Sequence, residues 1–210
     1  MGRMYWESRT FLFGCVLAVL GGCNTNDSDI RREKGSSAST YLPLEVGNYW
    51  DFKSVKAATN DIVLHREVIG IARLNSHEYY LITSHQPQPN AIIDSVYYRI
   101  DSNGDVYSYR ISMGIEELTY KLFAKDGDSW SYPYMNDDVM NVTTHLGTVT
   151  TQSKTVDDCK NYYFDVERWA DEEHTNTLAP GVGFIREYSD AWGIGIILTK
   201  ASIGGNVIEF

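Results

Sequence analysis

The sequence predicts an all-β protein: an antiparallel sheet, either a sandwich or a strongly curved open barrel, of about ten strands with little helix. Three observations carry this expectation. Short runs of β-branched and aromatic residues alternate with period two, turn residues separate them, and no segment beyond residue 40 sustains a clear helical period. One compact domain over residues 41–210 is the expected organisation, because a chain of that size builds a single core.

Taken in order, residues 41–50 (Tyr-Leu-Pro-Leu-Glu-Val-Gly-Asn-Tyr-Trp) read as a turn-rich opening that runs into a strand from Tyr49 to Val55. Asp61 to Leu74 places Ile62, Leu64, Val68, Ala72 and Leu74 on one parity, a long strand with a bend near Gly70. Asn75-Ser76 turns the chain into a strand from His77 to Ser84. Asn103-Gly104 is the preferred two-residue hairpin turn, and it sets paired positions to sum to 207. Tyr98 then faces Tyr109, Ile100 faces Tyr107 and Val96 faces Ile111, sorting the hairpin into an apolar and a largely polar face. The oxygen-rich Asp101-Ser102-Asn103-Gly104-Asp105 lacks the flanking helices and late glutamate of an EF-hand, so it reads as a plain turn. Residues 115–125 alternate as a strand, and Gly127-Asp128-Ser129-Trp130 opens a loop containing Pro133. Strands follow at 142–151, 161–169, 184–188, 195–203 and 207–210, with Asp171-Glu172-Glu173-His174 and the turn Ala179-Pro180-Gly181-Val182-Gly183 between them.

Ahead of the domain, Arg3 and Arg9 precede an apolar run from Phe11 to Leu20 that closes on Leu20-Gly21-Gly22-Cys23. Ten apolar residues rise only ~15 Å as a helix, too short for a hydrocarbon core of ~30 Å. The run resembles the signal of a bacterial lipoprotein. That resemblance implies a signal peptide over residues 1–22, cleavage before Cys23, and palmitate and related acyl chains on Cys23. Residues 23–40 are then the lipidated cysteine and a polar tether that cannot bury itself. Asn24 in place of the Asp that retains such lipoproteins at the inner membrane implies the cell outer membrane, facing periplasm or medium. The expected partner is thus the membrane, through the N-terminal lipid. A second resemblance rests on Pro43-Leu44-Glu45-Val46-Gly47-Asn48-Tyr49-Trp50, Gly127-Asp128-Ser129-Trp130 and Ala179-Pro180-Gly181-Val182-Gly183. Together they resemble uncharacterised secreted or lipid-anchored all-β domains of bacteria, which implies a fold and no particular reaction.

Composition narrows function by exclusion. A formal net charge of -10 disfavours nucleic acid as a partner. Cys15 leaves with the signal and Cys23 carries lipid, so Cys159 has no internal disulfide partner, and Asp157 and Asp158 beside it disfavour a thiolate. The serine-hydrolase, zinc-protease, dithiol and phosphate-loop motifs are missing. His65, His77, His85, His145 and His174 lack metal-ligand spacing, and no cofactor is expected. The candidate ligand-binding aromatics are Trp50, Trp130, Trp169 and Trp192, for an envelope glycan, lipid or protein. The expected role is a non-catalytic binding or structural module. The alternative is a carboxylate-dependent envelope hydrolase acting on glycans, with Asp165, Glu167, Asp171 and Glu187 as candidate acid and base. Asp171 to His174 is the candidate cation cluster.

Lipidation generates a direct prediction. Cells fed radiolabelled palmitate are expected to label the wild-type protein and not Cys23→Ala; equal labelling of the two would refute acylation at this residue.

Overall fold

The computed structural model describes residues 38–59, 61–87, 91–134 and 138–210; Cys23 and most of the tether lie outside them. A single helical turn, α1 (Ala38–Tyr41), precedes thirteen strands. These are β1 (Tyr49–Ser54), β2 (Leu64–Leu74), β3 (His77–Gln86), β4 (Ala91–Ile100), β5 (Asp105–Arg110), β6 (Ile115–Lys121) and β7 (Ser129–Pro133), followed by β8 (Val139–Thr150), β9 (Thr155–Asp165), β10 (His174–Ala179), β11 (Gly183–Ser189), β12 (Ile194–Ile203) and β13 (Asn206–Glu209). The expectation of about ten strands is corrected upward, because β7 and β10 read as loops in the sequence. β7 carries Pro133 at its end and is an outermost strand, where a missing N–H costs nothing. β10 is polar, His-Thr-Asn-Thr-Leu-Ala, and its strand character comes from neighbours on both sides.

All strands join one antiparallel sheet in the order β6-β5-β4-β3-β2-β1-β12-β11-β10-β9-β8-β7, with β13 on the part of β12 that β11 leaves free. The sheet curls into a nearly closed barrel. Its seam between β6 and β7 is bridged by a side chain: the Trp130 indole N–H donates to the Leu118 carbonyl at 2.8 Å. The Tyr162 hydroxyl donates to the Lys121 carbonyl nearby, at 3.1 Å.

Turn chemistry sets the registers, and one differs from expectation. In the β4–β5 hairpin Tyr97 faces Tyr109 and Arg99 faces Tyr107, so paired positions sum to 206 rather than 207. The loop is three residues long. Gly104 N–H bonds the Asp101 carbonyl, Gly104 takes φ +75°, and the Asp101 carboxylate accepts from the N–H groups of Asn103 and Asp105. That is a type I turn closed by a left-handed glycine. One residue of slip moves Tyr107 and Tyr109 to the outer face, and Val106 and Ser108 join Tyr98 inside. The two-residue turn with positive φ at both positions occurs instead at Asn75-Ser76, between Leu74 and His77.

The three motifs singled out in the sequence hold structural positions. Trp50 is fully buried, and its indole N–H donates 2.7 Å to the Val182 carbonyl. A Cβ on Gly183 would come within 3.1 Å of both Pro43 and Trp50, at φ +93°, so the first and third motifs interlock. In the second motif the Asp128 carboxylate accepts from Lys125 N–H.

Inside the barrel, Phe52, Tyr120, Tyr162, Phe164 and Phe184 fill the space with Trp50. Tyr120 lies against Tyr162 and Phe164 with ring centroids 4.9 and 6.0 Å apart. Cys159 is buried among them, and burial pushes its thiol up, as expected for a packed cysteine. One ion pair crosses this interior: the Arg66 guanidinium pairs both nitrogens with Glu187, donates to the Ser84 hydroxyl, and lies 4.7 Å over the Phe184 ring. Arg66→Ala leaves a carboxylate without its partner and is expected to cost about 3 kcal/mol in urea unfolding. Arg66→Met with Glu187→Leu should cost less; a double variant as weak as the single one would contradict this account.

Candidate functional site

Because side chains fill the barrel, the geometry points to its outer wall. The registers of β12, β1, β2, β3 and β4 align Lys200, Asp51, His65, His85 and Ile92 in one row across five strands. A second row beside it holds Ser202, Tyr49, Glu67, Thr83 and Ser95. Alternation faces these residues outward while Trp50, Arg66 and Ile82 face the core. A groove of about 500 Å³ opens over them, lined by Asp51, Ile62, His65, Glu67, His85 and Pro87. A second hollow of about 660 Å³ shares Ile62 and Pro87 with it.

His65 is the centre of the groove. Its Nδ1 lies 2.6 Å from Asp51 Oδ1, and its Nε2 lies 3.6 Å from Glu67 Oε2. Its ring also leans on Tyr49 at 5.4 Å and on His85 at 6.2 Å between centroids. His85 Nε2 is held 3.0 Å from the Thr83 hydroxyl. The hydrogen bond to Asp51 holds the His65 pKa above its ordinary value; partial burial works against this, and Glu67 adds to it. Nδ1 is held by the hydrogen bond to Asp51, while Nε2 faces the Glu67 carboxylate beyond hydrogen-bond distance, so both carboxylates favour the protonated ring. The carboxylates keep free oxygens, with Glu67 39% exposed, so the groove offers acceptors to hydroxyl or ammonium donors.

The sequence candidates fall elsewhere. Trp50 is core and cannot meet a ligand. Trp130 bridges the seam, and Trp169 donates to Asp138 at 2.6 Å and packs edge-on against Tyr134. Trp192 is 62% exposed on the turn between β11 and β12 and donates to the Asp171 carbonyl. Of the candidate acids, Glu187 is tied to Arg66 and Glu167 and Asp171 are exposed. Asp165, Glu172 and Glu173 bring carboxylate oxygens within 4.8 Å of one another, the one such group of three potential metal ligands among the described residues. His174 stands apart from it: its ring stacks on Phe164 at 4.7 Å, and Nδ1 faces the Glu172 carbonyl. Burial first, and then Glu172 and Glu173, raise the Asp165 pKa. Sequence reading passed over Asp51 and Glu67 and left His65 and His85 as scattered histidines; the i, i+2 spacing of His65 and Glu67 was the available signal.

No protein-family model matches the chain, and no curated protein matches it. Among solved structures, an inferred lipoprotein of Parabacteroides distasonis is similar at 14% identity and TM-score 0.37, over 80% of this chain and 98% of that one. An inferred exported protein of Bacteroides fragilis with a YmcC-like fold is similar at 12% identity and TM-score 0.39, over 81% and 99%. Likeness this remote carries no activity across.

The groove predicts a measurable titration. Ring-proton shifts of His65 should show a pKa above the ordinary ~6.5, and Asp51→Asn should lower it. Since the folded value is the raised one, the stability His65 contributes is fully present below about pH 6.5 and is lost as pH rises through the folded pKa. A wild-type titration at the ordinary value would contradict the hold of Asp51 on the ring.

Proposed function

We propose that this chain is a lipoprotein of the bacterial outer membrane, anchored through Cys23, whose β domain binds an envelope glycan in the His65 groove without catalysing a reaction. The observation that carries the binding reading is the environment of His65, whose two ring nitrogens both face carboxylates in an open groove. A hydrolase needs a base with a free lone pair or a carboxylate pair flanking a bound substrate. Here Asp51 is engaged by a hydrogen bond to His65, Glu67 lies 3.6 Å from the other ring nitrogen of the same histidine, and Asp165, Glu172 and Glu173 line neither hollow of this wall. What the groove supplies is recognition: carboxylate acceptors for sugar hydroxyl and amino groups, the Tyr49 ring beside His65, and Ile62 and Pro87 for apolar sugar faces. Anchoring is supported by the apolar run that ends in Leu20-Gly21-Gly22-Cys23, and by Asn24 for the outer membrane.

The test is calorimetric titration of the full-length protein in detergent with glucosamine oligosaccharides. Saturable binding is expected, with Glu67→Gln weakening it about tenfold, the worth of one charge-assisted hydrogen bond. Release of reducing sugar by wild type, abolished in Asp51→Asn while the far-ultraviolet spectrum stays unchanged, would overturn the non-catalytic reading.

A further inference from the structure

On the opposite stretch of the sheet a third outward row combines Ile197, Arg186, Thr177, Asn161 and His145, from β12, β11, β10, β9 and β8. A hollow of about 470 Å³ lies over it, lined by His145, Thr148, Asn161, Tyr163, Thr175 and Arg186. Arg186 is the unusual member. Arg66, Arg99, Arg110 and Arg168 each pair with a carboxylate, whereas Arg73 and Arg186 pair with none among the described residues, and of these two it is Arg186 that lines the hollow. Its Nε is buried without an acceptor, and its one hydrogen bond is Nη2 to Asn161 Oδ1 at 3.5 Å. That oxygen already accepts from the Thr177 hydroxyl at 2.9 Å, and the Asn161 amide N–H is turned to the His145 carbonyl at 3.2 Å. Asn161 is therefore fixed, and most of the guanidinium's donor capacity is unused.

The rim has the complementary character. Thr148 donates its hydroxyl proton to Asp157 Oδ1 at 2.9 Å, and Thr175 donates to Asp190 Oδ2 at 2.7 Å. Both oxygens thus offer lone pairs to the hollow. His145 stands at the edge, 3.7 Å from Asp126. With Asp126, Asp157 and Asp190 in place, a bare anion meets repulsion at the rim and attraction only at Arg186. A ligand that satisfies both parts has one anionic group for the guanidinium and hydroxyl groups that donate to Thr148 and Thr175.

We infer that the Arg186 hollow is a second binding site, independent of the His65 groove, for a sugar carrying a carboxylate or a phosphate monoester. Guanidinium recognises either anion through paired N–H donors, and the hydroxyls of the sugar ring meet the threonine oxygens. In a chain of net charge -10 such a site gives acidic saccharides a local point of attachment that the overall field would deny them.

The experiment titrates full-length protein in detergent with sodium glucuronate, glucose 1-phosphate, inorganic phosphate and methyl glucoside. Glucuronate, glucose 1-phosphate or both should bind at least about tenfold tighter than methyl glucoside, and added salt should weaken them. Binding by glucuronate alone assigns uronic acids, and binding by glucose 1-phosphate alone assigns phosphorylated sugars. Arg186→Gln should lose this binding, and so should Thr148→Glu, an exposed strand position that adds a charge at the rim and guards against a folding defect. The Glu67→Gln variant should bind these anions as wild type does. Methyl glucoside binding as tightly as the anions would overturn the site, as would inorganic phosphate matching glucose 1-phosphate. Anion affinity that survives in both Arg186→Gln and Thr148→Glu would overturn it too.

Discussion

The ion pair between Arg66 and Glu187 is the contact on which the shape of this protein turns. Arg66 belongs to β2 and Glu187 to β11, and two strands, β1 and β12, separate them in the sheet. In a flat sheet strands lie about 5 Å apart, so side chains three positions removed are separated by some 15 Å. They can touch only across a concave face, which makes the pair a direct record of curvature. Aromatic contacts repeat the message: Tyr98 of β4 meets Phe184 of β11, and Tyr120 of β6 reaches Asn176 of β10. The largely buried charge would be costly alone, but Ser84 and the Phe184 face complete its surroundings.

Curvature also explains where chemistry is left to occur. Six large aromatic side chains fill the interior, so recognition moves to the convex wall. There each residue depends on register rather than on proximity in the chain: Asp51, His65 and His85 come from three strands, and Arg186, Asn161 and His145 from three others. The two rows differ in sign of offer. One presents carboxylates around a tethered histidine, and the other presents an uncommitted guanidinium framed by hydroxyl oxygens.

Much of the fold was legible because strand alternation and turn residues are local properties. The bend near Gly70 is a bulge between Val68 and Gly70, and Asn75-Ser76 is a tight turn, both as the residues suggest. The site was not legible, and the reason is arithmetic. A two-residue turn at Asn75-Ser76 alone would place His65 opposite Gln86; the extra residue at the bulge moves it to His85. Likewise Asp101, by capturing two backbone N–H groups, changed a two-residue loop into a three-residue one and reversed the faces of Tyr107 and Tyr109. Of the tryptophans, Trp50, Trp130 and Trp169 spend their N–H groups on carbonyls and on Asp138, binding parts of the protein to itself, while Trp192 stays exposed.

The pairing of β1 with β12 carries a temporal consequence. Trp50 lies opposite Ala201, and the Thr199 hydroxyl donates to the Asp51 carbonyl, so the first strand finds this partner only near the far end of the chain. Closing a loop of that length must precede any reward from the contacts it allows, which places the protein among slow folders. In synthesis, N-terminus first, β1 emerges early and waits, with one hydrogen-bonding edge bare, until β12 follows. The interval is a window of vulnerability to mispairing with other chains, and its duration is set by the rate of delivery rather than by the stability of the finished barrel.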